Sequence, residues 1–155
     1  MTHPLLSPLL LATEHTAQDA GAEAVAFALA RRRGAAPLAV VLPVVREGTL
    51  EMVAPAAAER ADAEAGERRE ALQAAAAAAG VALDIALRRG PLPQAEIVDE
   101  ARRRASGLIV IRRRGRRGLL ARLLVGEMVS RVLDVAPCSV LVTPREARLW
   151  HRRVL

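Results

Sequence analysis

Tyrosine is absent from this sequence, and tryptophan and phenylalanine occur once each, as Trp150 and Phe27. Proteins that bind single-stranded nucleic acid stack bases on aromatic side chains, so this chain is almost without the means to do so. Cysteine also occurs once, as Cys138. That excludes a disulfide scaffold, and a lone thiol fits a reducing cytoplasm. No run approaches the ~20 consecutive apolar residues of a membrane span. The opening stretch MTHPLLSPLLLATEHT is partly apolar, but it lacks a basic leading region and is broken by Pro8 and Glu14. Leu9–Thr13 therefore reads as a buried strand, not as a signal peptide. Lysine is missing too: all 23 basic residues are arginine, in an alanine-heavy background that suggests a GC-rich genome. Arginine number by itself then says little about function.

What is present defines one globular domain. The 155 residues are 52% hydrophobic and 26% charged, a balance that excludes intrinsic disorder. The net charge of +6 is unevenly spread. Residues 1–45 balance, residues 46–100 carry a net −5, and residues 101–155 carry a net +11. Such asymmetry suggests an anionic ligand, an anionic partner or self-association, set against a basic face that is merely solvated.

Along the chain, apolar runs alternate with helical periodicity. Leu9–Thr13 is followed by Thr16, an expected N-cap, and by Ala22, Val25, Ala26 and Leu29 on one helix face. Gly34 closes that helix. Leu38–Val45 reads as a buried strand that stops or bulges at Pro43, because proline cannot donate to a sheet ladder. Residues 46–55 read as a loop. Ala56–Ala79 has high helix propensity and, apart from Leu72, few large apolar residues, so a shallowly packed helix ending at Gly80 is expected. Val81–Leu87 reads as an edge strand. Gly90-Pro91-Leu92-Pro93 is a turn, and Ile97, Val98, Ala101 and Ala105 mark a helix. Leu108–Ile111 is a strand, and residues 112–125 are an arginine- and glycine-rich segment. Val129, Val132, Leu133 and Ala136 mark the last helix, and Cys138–Thr143 the last strand. Strands alternating with helices predict an α/β fold with a parallel sheet covered on both faces. Ligands in such sheets sit beyond the carboxyl ends of the strands, at the topological switch point.

LLLATEHT, GPLPQAEIVDEARRRASGLIVI and GRRGLLARLLVGEMVSRVLDVAPCSVLV together give the chain a pattern that resembles the universal stress protein family over about residues 5–145. The resemblance implies an α/β sandwich with a five-stranded parallel sheet in the order 3-2-1-4-5, of the adenine-nucleotide alpha-hydrolase-like type. It places one domain at residues 1–145, with residues 146–155 as a C-terminal tail around Trp150. It also implies a homodimer built through the last strand, Cys138–Thr143. Many members bind ATP. By the resemblance, Thr13 and Glu14 follow the first strand near ribose and phosphates, Val44 contacts adenine, and a glycine-rich loop holds phosphate. In that loop Gly115 fits the second glycine position, but Arg112 stands at the first. Gly126 falls one residue late, and Glu127 replaces a hydroxyl residue.

These departures have physical consequences. An arginine side chain at 112 obstructs the close approach that glycine allows, and a carboxylate at the start of a helix repels phosphate. Arg112, Arg113 and Arg114, with Gly115, Gly118, Gly126 and Glu127 around them, remain a candidate anion site through charge-assisted contacts. Glu14 is a candidate nucleotide ligand. The plainer alternatives are a carboxylate held by the dipole of the first helix, or one paired with the 112–117 loop so that the crevice blocks itself. No nucleophile-and-acid constellation stands beside His15 in sequence, so no catalytic residue is assigned. One cysteine and three scattered histidines give no metal spacing. The expected function is that of a cytoplasmic, non-enzymatic, stress-response regulator. It would bind ATP weakly or not at all and act on a protein partner whose identity the sequence does not carry. The alternatives are an ATP-binding switch with slow or no hydrolysis, and an accessory polyanion binder. Nucleic acid is not the expected partner.

Overall fold

The computed structural model describes residues 8–113 and 126–148. Five strands form one sheet: β1 (Leu9–Ala12), β2 (Leu38–Val45), β3 (Leu83–Gly90), β4 (Leu108–Arg112) and β5 (Ser139–Thr143). The helices are α1 (Ala20–Arg33), α2 (Gly48–Val53), α3 (Pro55–Ala78), α4 (Pro93–Arg103) and α5 (Glu127–Val135). The strand order is β3-β2-β1-β4-β5, and every pairing is parallel. This is the expected α/β fold and strand order.

Side chains alternate across a strand, which sorts the apolar runs into two cores. Leu9, Leu11, Val40 and Val110 pack with α1 and with Leu72 and Ala76 of α3. Leu10, Val41, Ile109 and Ile111 pack with α4 and α5 through Ile97, Val98, Val129 and Val132. Because both faces are covered, the central strands are apolar up to Arg112, which ends β4.

Several local expectations change. β2 does not stop at Pro43: it pairs with β3 through Val45, with Pro43 opposite Arg88. On the other side the ladder ends as Val41 accepts from the Thr13 N–H, just short of where Pro43 would donate. The missing N–H therefore interrupts no ladder. Residues 46–55 are not all loop, since α2 occupies Gly48–Val53. α3 is a single helix with only Ala65, Leu72 and Ala76 buried, and Gly80 ends it at φ +72°. β3 is an edge strand, shifted toward its carboxyl end relative to Val81–Leu87. Thr16 does not cap α1. The helix begins after Asp19, whose Oδ2 instead accepts from the Thr16 backbone N–H (2.9 Å) and hydroxyl (2.7 Å). Cys138 precedes β5 and is half-buried against the α4–α5 core. Burial pushes its thiol pKa up, with a backbone hydrogen bond from Ile109 opposing.

Candidate functional site

The strand order reverses between β1 and β4, and a crevice lies at their carboxyl ends. Its apolar floor comes from Ala12, Pro43, Ile97, Ile111 and Met128. Its rim is ionic. Arg112, the last residue of β4, reaches across to the turn that follows β1: Nη2 donates to Glu14 Oε2 at 2.8 Å, and Nε lies 3.1 Å from Asp19 Oδ1. The guanidinium fork suits two carboxylates at once. Asp19 is 1% exposed. A buried carboxylate is tolerated only with a partner, so Arg112 is part of what lets this turn fold as it does. With Arg112 in place the crevice leaves about 10 Å³, about enough for one water.

Beside the crevice, the turn is tied to α1. Glu23, in the first turn of α1, is buried among the apolar residues of that helix. Its Oε1 accepts from the Thr13 hydroxyl at 2.7 Å, and His15 Nδ1 lies 3.0 and 3.2 Å from its two oxygens. The His15 backbone N–H donates in turn to Thr13 Oγ1 at 2.9 Å. His15 adopts φ +52°.

Away from the crevice, other arginines near the strand ends are answered by acids. Arg46 bonds Glu51 and Asp62, Arg89 bonds Asp62, and Arg88 pairs with Glu96. The hydrogen bond from Arg89, with help from Arg46, holds the Asp62 carboxyl below its usual range against a smaller opposing effect of burial. Arg104 does the same for Asp84. Among the described residues, no group of His, Cys, Asp and Glu is arranged to hold a metal ion.

The residues singled out in the sequence are thus distributed as follows. Thr13, Glu14 and Arg112 meet at the crevice. Val44 does not line it: it packs with Leu42 and Ala65 toward α3, and its neighbour Pro43 lines the crevice instead. The backbone N–H of Arg113 donates to Thr143 O at 2.7 Å. Gly126 precedes α5, and Glu127 is an exposed first-turn residue bonded to Arg131 at 2.5 Å. Arg114, Gly115 and Gly118 lie outside the described residues. Asp19 and Glu23 were missed. The available signal for Glu23 was an acid beside Ala22 in the apolar stretch of α1.

A family model described as the universal stress protein family matches residues 7–144. Sequence search finds no match among curated proteins. Among solved structures, a universal stress protein from Archaeoglobus fulgidus is similar at a TM-score of 0.69 and 24% identity, over 88% of this chain and 97% of that one. Universal stress protein UspA from Lactobacillus plantarum is similar at a TM-score of 0.62 and 26% identity, over 87% and 97%. The Archaeoglobus fulgidus protein in complex with dAMP matches at a TM-score of 0.65 and 23% identity, over 88% and 96%.

Proposed function

The chain belongs to the universal stress protein family, and from that membership we propose that it is a non-enzymatic, stress-response regulator whose nucleotide crevice is closed by its own side chains. One observation carries this reading: Arg112 bridges Glu14 and Asp19 across the mouth of the crevice. A nucleotide phosphate would have to displace two carboxylates from one guanidinium, and one of them, Asp19, would be left buried without its cation, held by the Thr16 N–H and hydroxyl alone. ATP binding is therefore weak or absent, and the protein acts through its folded surface on a protein partner.

We place this activity in a homodimer formed through β5. That edge strand carries no charged residue, and its Leu141 is exposed. The opposite edge, β3, carries Asp84, Arg88 and Arg89, each committed to an ion pair. Charges of that kind blunt an edge against pairing. No described helix is long and apolar enough to cross a membrane, and together with the single thiol this supports a cytoplasmic location. The competing reading is an ATP-binding switch. It is favoured by the complex of the Archaeoglobus fulgidus relative with dAMP.

Titration with ATP and with dAMP, each with Mg²⁺, separates the two. At a tenfold excess over Kd, a ligand raises folding stability by about 1.4 kcal/mol, which a melting curve resolves. We expect no shift with millimolar nucleotide and no nucleotide in an acid extract of the purified protein. A saturable shift with either nucleotide would replace this reading with the switch.

A further inference from the structure

In a parallel sheet whose strands alternate with helices, the helices end at the amino end of the strands, opposite the crevice. α1 ends in Arg31, Arg32 and Arg33, and α4 in Arg102 and Arg103 with Arg104 as its C-cap. α3 and α5 carry no basic residue in their last turns. A helix C-terminus presents about half a negative charge whose effect fades within one turn, so a run of three arginines exceeds what the dipole calls for. The two runs lie on opposite faces of the sheet, because α1 packs in one core and α4 in the other. That sets them roughly two helix diameters, ~20 Å, apart. The α3–β3 turn and the start of β3 link them. Arg31 Nη1 donates to Ala79 O at 3.4 Å, the Leu38 N–H donates to Ala82 O at 2.9 Å, and Arg104 Nη1 donates to Asp84 Oδ2 at 2.6 Å.

The two ends of the sheet use their arginines differently. At the carboxyl end Arg46, Arg88, Arg89 and Arg112 are each met by an acid. At the amino end Arg102 and Arg104 take up Asp99, Asp84 and Glu100, while Asp134, beside the end of α5, is exposed. Arg32 and Arg103 are exposed and meet no acid, and Arg31 bonds a carbonyl, not a carboxylate. Between the α1–β2 and α3–β3 turns lies an open cleft of about 130 Å³, with Arg31 at its side and Gly34, Gly80 and Val81 in its lining. Nothing lies within 4 Å of a Cβ built at either glycine, so the backbone there is open to the approach of an anion. We propose that this amino-end face binds the phosphate backbone of duplex nucleic acid, without reading its sequence, through Arg31, Arg32 and Arg103. The layout of the charge names the ligand. Positive charge spread over ~20 Å suits a polymer that carries one phosphate per ~1.7 Å of its axis. The guanidinium fork matches phosphate oxygens, and the net charge of +6 favours encounter with a polyanion. The want of aromatic side chains bars stacking on single-strand bases but not contact with phosphates. A membrane surface fits this end less well, because the helices meet it tip-first and lay no apolar face along it.

This face lies at the opposite end of the sheet from the crevice, so the inference stands or falls apart from the closure by Arg112. Its test follows the fluorescence anisotropy of a labelled ~20-base-pair DNA duplex with the full chain, between ~50 and ~200 mM salt. We expect log Kobs to fall against log salt with a slope of about −3, near 0.9 for each of the three arginines. Arg32→Ala combined with Arg103→Ala should make that slope shallower by about 2 and weaken binding roughly tenfold or more at the lowest salt. Neither side chain joins an ion pair of the fold, so this variant should melt as the wild type does. Arg60→Ala combined with Arg69→Ala, at exposed positions of α3, should leave both slope and affinity unchanged. Absence of binding at ~50 mM salt and ~0.1 mM protein would overturn the proposal. So would binding that is unaltered in the Arg32→Ala, Arg103→Ala variant, which would move the anion site to other arginines. Tighter capture of the protein by phosphatidylserine vesicles than by the duplex, lost in the same variant, would give the face to a membrane and overturn the assignment to nucleic acid.

Discussion

At the scale of single residues, the same substitution has opposite expected effects at two glycines. Gly21 lies in the first turn of α1, where the chain leaving β5 passes close by. A Cβ there would lie 1.9 Å from the Pro144 carbonyl oxygen and 2.9 Å from the Ala147 nitrogen. Backbone cannot swing aside as a long side chain can, and Ala147 is itself packed against the core. Gly21→Ala should therefore destabilise the protein by ~1–3 kcal/mol, as overpacking does. Gly66, in α3, has nothing within 4 Å of its would-be Cβ. Gly66→Ala should stabilise by ~0.5–1 kcal/mol through helix propensity alone. Urea unfolding of the two variants checks the pair, and equal signs would contradict the packing at Gly21. The same close approach means that residues 144–148, which include the start of the expected tail, lie against the domain.

At the scale of elements, α3 is held by little. Over its 24 residues it buries Ala65, Leu72 and Ala76, and Leu72 is the one large side chain among them, at 0% exposure. Alanine supplies helix propensity but almost no apolar area, so the docking of this helix is concentrated at Leu72. Leu72→Ala should lower stability by ~2–5 kcal/mol, the range for a buried leucine. α3 should also exchange its amides faster than α4 in the variant. A loss below about 1 kcal/mol, the scale of an exposed site, would show that the helix is fastened elsewhere. Other ties along α3 are small: Ala61 and Ala65 against Leu42 and Val44, the bonds from Arg46 and Arg89 to Asp62, and one from Arg31 to the Ala79 carbonyl at its end.

At the scale of the whole molecule, the charge asymmetry of the sequence is partly consumed inside the fold. Arg112 and Arg104, from the basic third, answer Glu14, Asp19 and Asp84 from earlier in the chain. The sheet is left with two unlike edges, one charged and paired, the other uncharged and apolar. If the second edge joins two copies, Leu141→Arg should convert a dimer to a monomer in light scattering behind a sizing column, with the melting temperature little changed. A wild-type protein that already elutes as a monomer at micromolar concentration would remove β5 as the dimer surface.

The α/β class, the order of elements and most of the core were legible in the sequence, because apolar runs and helical periodicity are local signals. Pro43 was misread because its outcome is not local. Whether a proline breaks a strand depends on which side its missing N–H faces, and that follows from the neighbouring strand. The self-blocked crevice was one of the alternatives open to Glu14 from the sequence, yet its geometry was not. Arg112 and Glu14 are separated by 98 residues. Only the parallel pairing of β1 with β4 brings their ends together. The same holds for Asp19 and Glu23. Composition marks them as ordinary acids near a helix start, and packing turns one into a buried partner of Arg112 and the other into the anchor of His15. Periodicity along the chain determined which segments are buried. Register between strands decided which charges meet, because ion pairing requires contact in space and carries no signature in sequence spacing.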